Sequence, residues 1–569
     1  MNKNNIFKSV FSNLDLILAL SVVVYFFVIF FKYTVNIPIN DDYDVINNFN
    51  DIINQSSAVE KVKLFFLQHN EHRILYDKLW FYIVYWFNPE GLDFNILSFI
   101  GTLSLVGIVA FYFFKLKKHY SDYILLFPVS VFIINLALWE NITFSMAGLS
   151  NFTFLLFAIL SIHFITQENL NSKKMGFSLL FFFFSIMSQG GGVFVFPVGL
   201  MVLFLRKNKI DFLKYFISGT LIIFIYFLDY QKHPSPSLSQ VFTNLFEHFK
   251  FFIAFLGSAI SNYHFFPDNI DEAFLRSSIL GFLFFVFYIY LLVSRYFKKN
   301  LFNFSIFTLV ILISFVTAIT RLNQGIHTAV SSRYRLLSVL FLVSLFIFLI
   351  EFAKRKKLNI KLVNSVVFLL SVTYLFLFNF NYQNKSLMHH RQASLSLGML
   401  YYFSGDNSQI NSLNKNLSEK VLKESKDFET FVISEEKINK YYSFADKEEF
   451  DLNFPDNSSI TISSNIEKIK QLKDSYYIEG FAFLDNSSDT EDQEVYLVLY
   501  NNSSSKVFKT TPELKPGLSN YFKRKNLDNG GFRVRIKNED IGQGTNQIGL
   551  IVVNGNQKKL IKTDKNILK

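Results

Sequence analysis

Leu14-Asp15-Leu16-Ile17-Leu18-Ala19-Leu20-Ser21-Val22-Val23-Val24-Tyr25-Phe26-Phe27-Val28-Ile29-Phe30-Phe31 is the stretch on which the fold turns. After Asp15 every residue is apolar or small until Lys32. At 1.5 Å rise per residue, such a helix is nearly long enough to cross a hydrocarbon core of ~30 Å. Lys3 and Lys8 precede the run, and Asp41, Asp42 and Asp44 follow it. Basic residues favour the inner side, so the amino end is expected in the cytoplasm and the aspartates outside. A cleaved signal peptide fits poorly, because the run is too long and no small-residue cleavage site follows.

The rest of the chain repeats this pattern. Of 569 residues 51% are hydrophobic, with 72 Phe and 28 Tyr, and the mean hydropathy is positive. The heavy use of Phe, Ile, Asn and Lys also matches a nucleotide-composition bias, which raises the aromatic count without functional cause. The expectation is a mainly α-helical, multi-spanning membrane protein. A formal charge of +11 does not imply nucleic acid, since Lys and Arg gather between apolar segments, where inward loops need them. With no cysteine, disulfides and thiolate chemistry are excluded.

Basic groups at Lys115-Lys118, Lys173-Lys174, Arg206-Lys209, Arg295-Lys299 and Lys354-Lys357 punctuate the apolar segments. Placing each group inside predicts about eleven spans, at 14–31, 94–114, 123–139, 152–165, 175–187, 193–205, 212–228, 279–293, 302–320, 336–352 and 362–380. Gly190-Gly191-Gly192 reads as a tight outer turn. The stretches 74–87 and 251–260 are too short to span and read as helices on the outer membrane surface. Counting both as spans would leave the two chain ends where they are. A transmembrane domain over 1–382 is thus followed by a polar, helix-compatible linker over 383–455. From 456 to 569 short strands are expected at 460–462, 476–483, 494–500, 506–510, 532–536 and 547–553. Turns such as Asp528-Asn529-Gly530-Gly531 separate them, which suggests an antiparallel β-sandwich.

With this topology the polar groups able to do chemistry collect outside. They are Asp41, Asp42 and Asp44; His69-Asn70-Glu71-His72-Arg73; Glu140-Asn141; Ser188-Gln189; Asp229 through His233; Tyr263-His264; Arg321; and Arg333-Tyr334-Arg335. Charges at a membrane boundary are costly unless solvated or paired, so their gathering on one face suggests a common cavity. Adjacent carboxylates can deprotonate a hydroxyl, hold a cation or cap a helix. Arginines near helix ends can snorkel to headgroups, yet three in one outer loop break the positive-inside pattern and favour phosphate recognition. No close His pair has metal-ligand spacing, so a divalent metal is compatible with these groups but not required. The triple glycine is no nucleotide loop, lacking the Lys-Ser/Thr of a P-loop.

One span, a long outer loop opening on Asp41-Asp42-Tyr43, then surface helices and a many-helix body, resembles the GT-C glycosyltransferase superfamily. That group includes protein O-mannosyltransferases, aminoarabinose transferases of lipid A and bacterial enzymes that decorate surface polysaccharides. Asn70-Glu71-His72-Arg73, Trp139-Glu140-Asn141 and Ser332-Arg333-Tyr334 also look like loops of such bacterial proteins, and the resemblance covers roughly residues 10–380. Several of those families have Asp-Glu where this chain has Asp-Asp, which leaves the division of labour between Asp41 and Asp42 open.

The resemblance implies inverting transfer of a sugar from a polyprenyl phosphate to a hydroxyl of a cell-envelope glycan. The reaction would lie on the outer face of the bacterial cytoplasmic membrane, with no cofactor required. Asp41 would be the base and Asp42 its positioning partner. Arg73, Arg321, Arg333 and Arg335 would meet the donor phosphate, with Glu71, His72, Glu140, Asn141, Gln189 and Tyr334 in support. The carboxyl-terminal sandwich resembles accessory glycan-binding domains. There Tyr476, Tyr477, Phe481 and Phe483 alternate either as stacking residues or as core. A lipid-linked glycan flippase and a polysaccharide polymerase are the alternatives; the near absence of charge within the spans counts against the former.

Overall fold

A computed structural model describes residues 3–120, 123–231, 238–261, 270–379, 388 and, apart from isolated positions, 410–433, 442–452 and 460–569. Lys232, His233, Tyr263, His264 and much of the expected linker lie outside the described residues. The chain divides into two compact units, Met1–Lys385 with Glu424–Phe431 and Ser386–Lys423 with Val432–Lys569.

The first unit is helical. It begins with α1 (Lys3–Tyr33), followed by three short helices, α2 (Asp42–Asn54), α3 (Ala58–Phe66) and α4 (Leu75–Phe87). It continues through α5 (Phe94–Tyr120), α6 (Leu126–Ile133), α7 (Trp139–Ile142), α8 (Ser145–Ile165), α9 (Ser172–Ile186), α10 (Val195–Leu205), α11 (Lys209–Phe227) and α12 (Leu238–Thr243). The last are α13 (Leu245–Leu256), α14 (Ile270–Val293), α15 (Leu301–Arg321), α16 (Arg335–Arg355) and α17 (Ile360–Phe378). Among the described residues, eight helices are long and apolar enough to cross a membrane, lying in α1, α5, α8, α11, α14, α15, α16 and α17. The other three expected spans are shorter elements. The 123–139 stretch is α6 and a 3-10 turn leading into α7, 175–187 falls in α9, and 193–205 is a 3-10 turn running into α10.

Side chains account for the break after α6. The Asn135 amide donates to the Phe132 carbonyl and accepts from the Ala137 N–H, ending the helix from within. At its other end, Asp15 accepts the N–H groups of Leu125, Leu126 and Phe127 at 3.0, 2.9 and 2.8 Å. The one acid in the first span is therefore a cap supplied by a neighbouring helix, filling N–H groups that α6 itself leaves open.

The two short stretches read as surface helices behave differently. α4 leaves Leu79, Ile83, Trp86 and Phe87 exposed, an apolar side of the kind a surface helix presents. In α13, by contrast, Phe251 through Leu256 are all buried, and the helix packs on α14 and α15. Its expected surface placement is thus corrected: protein covers it. Glycines make the approach possible. A Cβ on Gly281 would stand 1.8 Å from the Ile253 carbonyl oxygen, and one on Gly257 would stand 1.9 Å from that of Ser277. Small residues let helix backbones meet this closely in membranes. Gly281→Leu is expected to force α13 from α14 and cost about 1–3 kcal/mol or more. Thermal melting in detergent checks this, with Gly176→Leu, which has no atom within 4 Å of its Cβ position, leaving the midpoint unchanged.

The triple glycine is also reinterpreted. It forms a 3-10 turn, Gly190–Phe194, and none of its three glycines has positive φ. Close approach explains them: a Cβ on Gly192 would lie 2.4 Å from the Ser185 carbonyl carbon, and one on Gly190 2.6 Å from His72 Nδ1.

Residues 424–431 of the expected linker pack within the helical unit. Asn50 of α2 bonds Ser425 Oγ at 3.1 Å and Thr430 Oγ1 at 2.6 Å, and the Leu92 N–H reaches the Thr430 carbonyl.

The second unit carries the strands β1 (Lys447–Glu448), β2 (Ile462–Gln471), β3 (Ser475–Leu484), β4 (Glu494–Tyr500), β5 (Ser505–Lys509), β6 (Thr511–Glu513), β7 (Gly531–Lys537), β8 (Thr545–Asn554) and β9 (Gln557–Leu568). They form antiparallel sheets in the orders β1-β5-β4-β8-β9 and β2-β3-β7-β6, sharing a core that includes Ile478, Leu497, Phe508, Phe532 and Leu550. Of the aromatic residues with two readings, Tyr476 lies in that core, Tyr477 and Phe483 are fully buried, and Phe481 packs on Phe522.

Candidate functional site

Two asparagines in left-handed backbone aim the acidic groups. Asn40 (φ 47°) turns the chain into α2 just before Asp41, and Asn70 (φ 46°) makes the turn that carries Glu71. Asn is among the few residues that adopt this conformation at low cost. Mutual backbone bonds between His69 and His72, at 2.7 and 2.9 Å, close the second turn. The Tyr230 hydroxyl donates to the Glu71 carbonyl at 3.1 Å and steadies it.

The Glu71 carboxylate meets Arg321, the last residue of α15, at 3.2 Å. A second pair lies alongside, with Arg333 Nε 3.5 Å from Glu140 and the Arg333 backbone N–H donating to the same carboxylate at 3.1 Å. Asn141 locks this loop to α7 by donating to the Arg333 carbonyl, and Ser332 Oγ accepts the Glu140 N–H. Arg333, Tyr334, Gln189 and Asn151 line a small cavity of about 50 Å³ between α8, α15 and α16.

Asp41 lies in the field of Arg333, Arg321 and Glu71. Desolvation raises its carboxyl above the ordinary value; Arg333 and Arg321 pull it back down, and Glu71 pushes it up. The four charged groups therefore share one field. Asp42 is different in kind: fully buried, it accepts the N–H of Ile39 at 3.1 Å and that of Met146, in the first turn of α8, at 3.0 Å. It anchors the loop while Asp41 stays partly open. Nearby, Asp77 is wholly enclosed, with neither carboxylate oxygen hydrogen-bonded among the described residues. Burial first and the Asp42 charge second push its pKa well above the ordinary carboxylate value.

Two of the four expected phosphate-binding arginines are spent inside the protein. Arg73 donates to the carbonyls of Tyr226, Phe66 and Leu228. Arg335 is 3% exposed, donates to the carbonyls of Ser258 and Ala137, and lies over the Phe378 ring. His72 packs against Gly190. The structure thus brings together Asp41, Glu71, Glu140, Asn141, Gln189, Arg321, Arg333 and Tyr334, whereas Arg73 and Arg335 brace the backbone behind them.

Sequence reading missed the roles of Asn40 and Asn70, although an Asn directly before an acid in a loop is a usable sign. Among the described residues, no three His, Asp or Glu side chains are grouped to hold a metal ion. Compared with protein-family models, curated proteins and solved structures, the chain matches none of them.

Proposed function

We propose that this chain is an inverting glycosyltransferase of GT-C type, moving a sugar from a polyprenyl phosphate to a hydroxyl of a cell-envelope glycan. The observation that carries the reading is Asp41 itself, a partly desolvated carboxylate beside two arginines that are each tethered by a second carboxylate. Asp41 takes the proton of the acceptor hydroxyl as its oxygen bonds to the anomeric carbon. The bond from that carbon to the phosphate oxygen breaks, and the lipid phosphate leaves as an anion. Arg333, 51% exposed, and Arg321, 24% exposed, stabilise the charge it gains. No separate acid is needed for so good a leaving group.

The reaction sits on the outer face of a bacterial cytoplasmic membrane crossed about eleven times, with the amino end inside and the β-sheet unit outside as a glycan-handling accessory. Support comes from the helix ends. Phe302, in the first turn of α15, lies under the Lys115 ammonium at 4.0 Å, while Arg321 at the far end meets Glu71. α16 starts at the buried Arg335 and carries, near its last turn, Glu351 bonded by Tyr120 and Tyr296. The basic loops and the acidic cluster are thus separated by helices of 21 residues, ~30 Å long.

Membranes containing the chain are expected to move label from a radiolabelled polyprenyl-phosphate sugar into an envelope glycan. Label that stays on the lipid with every donor offered would end this reading. The pH profile gives a sharper check. Transfer needs Asp41 ionised, so its acid limb follows the Asp41 pKa, which lies above the ordinary 3.8. Removing Arg333 deletes a group that lowers that pKa, so Arg333→Gln is expected to move the limb to higher pH. Glu71→Gln deletes one that raises it and is expected to move the limb lower. Parallel shifts in the two variants would remove Asp41 as the titrating group.

A further inference from the structure

We infer that the pocket between α2 and the 67–70 turn, one to three helical turns from Asp41, binds a single neutral sugar ring. As part of a transfer site this rests on the glycosyltransferase reading; as a binding site it stands on its own lining. The pocket holds about 240 Å³, below the ~300–1,000 Å³ typical of drug-sized ligands and suited to one ring.

Asp44, Asn48 and Asp51 form one stripe of α2, with Asn47 beside them and Asn70 opposite. The Asn48 amide is the telling group. Both its Oδ1 and its Nδ2 are enclosed, and neither is hydrogen-bonded among the described residues. An enclosed amide without partners is costly, and a turn of this half-buried side chain toward the pocket would let a ligand offering both donors and acceptors satisfy it. A sugar hydroxyl is both at once, and carboxylates and amides are the side chains that grip pairs of hydroxyls.

Charge argues against an anionic ligand. Lys78 reaches the pocket wall, but its ammonium donates to the carbonyls of Leu64 and Leu67 at 2.9 and 2.8 Å, and burial pushes its pKa down to about 7. Burial likewise pushes His69 down to about 4, leaving it neutral. With Asp44 and Asp51 in the wall, a phosphate or sugar acid would be repelled. Geometry argues against one bound cation, since seven residues of helix separate Asp44 from Asp51 by roughly 10 Å. That is about the span of a six-membered ring with a hydrogen bond at each end.

The test uses the detergent-purified full chain and saturation-transfer NMR with glucose, galactose, rhamnose and N-acetylglucosamine, each at millimolar concentration. Glucose 1-phosphate and glucuronate are the charged comparisons. At least one neutral sugar is expected to bind, with the charged ones about tenfold weaker or silent. Asn48→Leu should cut binding about tenfold, and Asn47→Ala, at a half-buried position of α2, severalfold at an unchanged melting midpoint. Asp41→Asn should leave binding intact. Silence from all four neutral sugars, equal binding of the charged ones, or unchanged binding in both asparagine variants would overturn the inference. Competition by an unlabelled polyprenyl-phosphate sugar would assign the ring to the donor; additive binding would assign it to the acceptor. Sugar binding without transfer activity would leave the pocket standing while the transferase reading fell, and transfer without sugar binding would do the reverse.

Discussion

Asp41→Asn is expected to lower sugar transfer by about 10²–10⁴-fold, the usual range for losing a general base, while donor binding changes little. Asn keeps the shape and the left-handed entry at Asn40 is untouched, so the fold should survive. The variant also removes a negative charge in the field of Arg321 and Arg333, so donor affinity should rise slightly if it moves at all. A large kcat loss with unchanged or tighter donor binding is the signature to seek, in membranes at equal expression. Equal transfer by both proteins would remove Asp41 from the chemistry. Loss of donor binding alongside transfer would instead point to a flippase or polymerase site that merely holds lipid-linked glycan.

Arg73→Met is expected to destabilise the helical unit by about 3–5 kcal/mol, the scale for stranding several buried partners of a charged group. The guanidinium joins the carbonyls of Phe66, Tyr226 and Leu228, which come from the end of α3, the end of α11 and the residue beyond α11. Methionine fills similar space but donates nothing, so three carbonyls lose a charge-assisted bond. Thermal inactivation in detergent should show a midpoint lowered by several degrees. The protein still folded at low temperature should bind donor normally. A donor-phosphate role would give the opposite pattern, with an unchanged midpoint and weakened donor binding. Arg333→Gln, by contrast, leaves a half-exposed pair and should leave the midpoint nearly unmoved.

Helical character was legible because hydropathy is a local property: each of the eight long helices coincides with an apolar run bounded by charge. Less legible were the three expected spans that prove shorter. Hydropathy does not register that Asn135 ends α6 by bonding its own neighbours, or that Asp15 caps that helix from another one. α13 was misplaced for a related reason. Its apolar face is covered by α14, and the close contact depends on Gly257 and Gly281 meeting, which neither local sequence reveals.

In the β-sheet unit, the strands with alternating apolar residues were found, while β1, β6, β9 and all of β2 but its first residue, Ile462, were not. These are edge strands. β9 carries Lys558, Lys559, Lys562 and Lys565, the charges by which sheet edges resist pairing with other chains, and such charges blur the alternation that marks a strand.

By itself the sequence determined that this is a chain of apolar helices of a length and composition suited to crossing a membrane, with a β-sheet unit at its carboxyl end, and that acids and arginines gather in particular loops. Those features follow from composition and periodicity over a few turns of chain. Only the tertiary structure decided which of four similar arginines are available. Arg73 and Arg335 are bound by carbonyls at Tyr226, Leu228, Ser258 and Ala137, far along the chain, whereas Arg321 and Arg333 lie in the field of Asp41. A guanidinium's role depends on which oxygens the folded backbone brings within reach, and no local pattern encodes that.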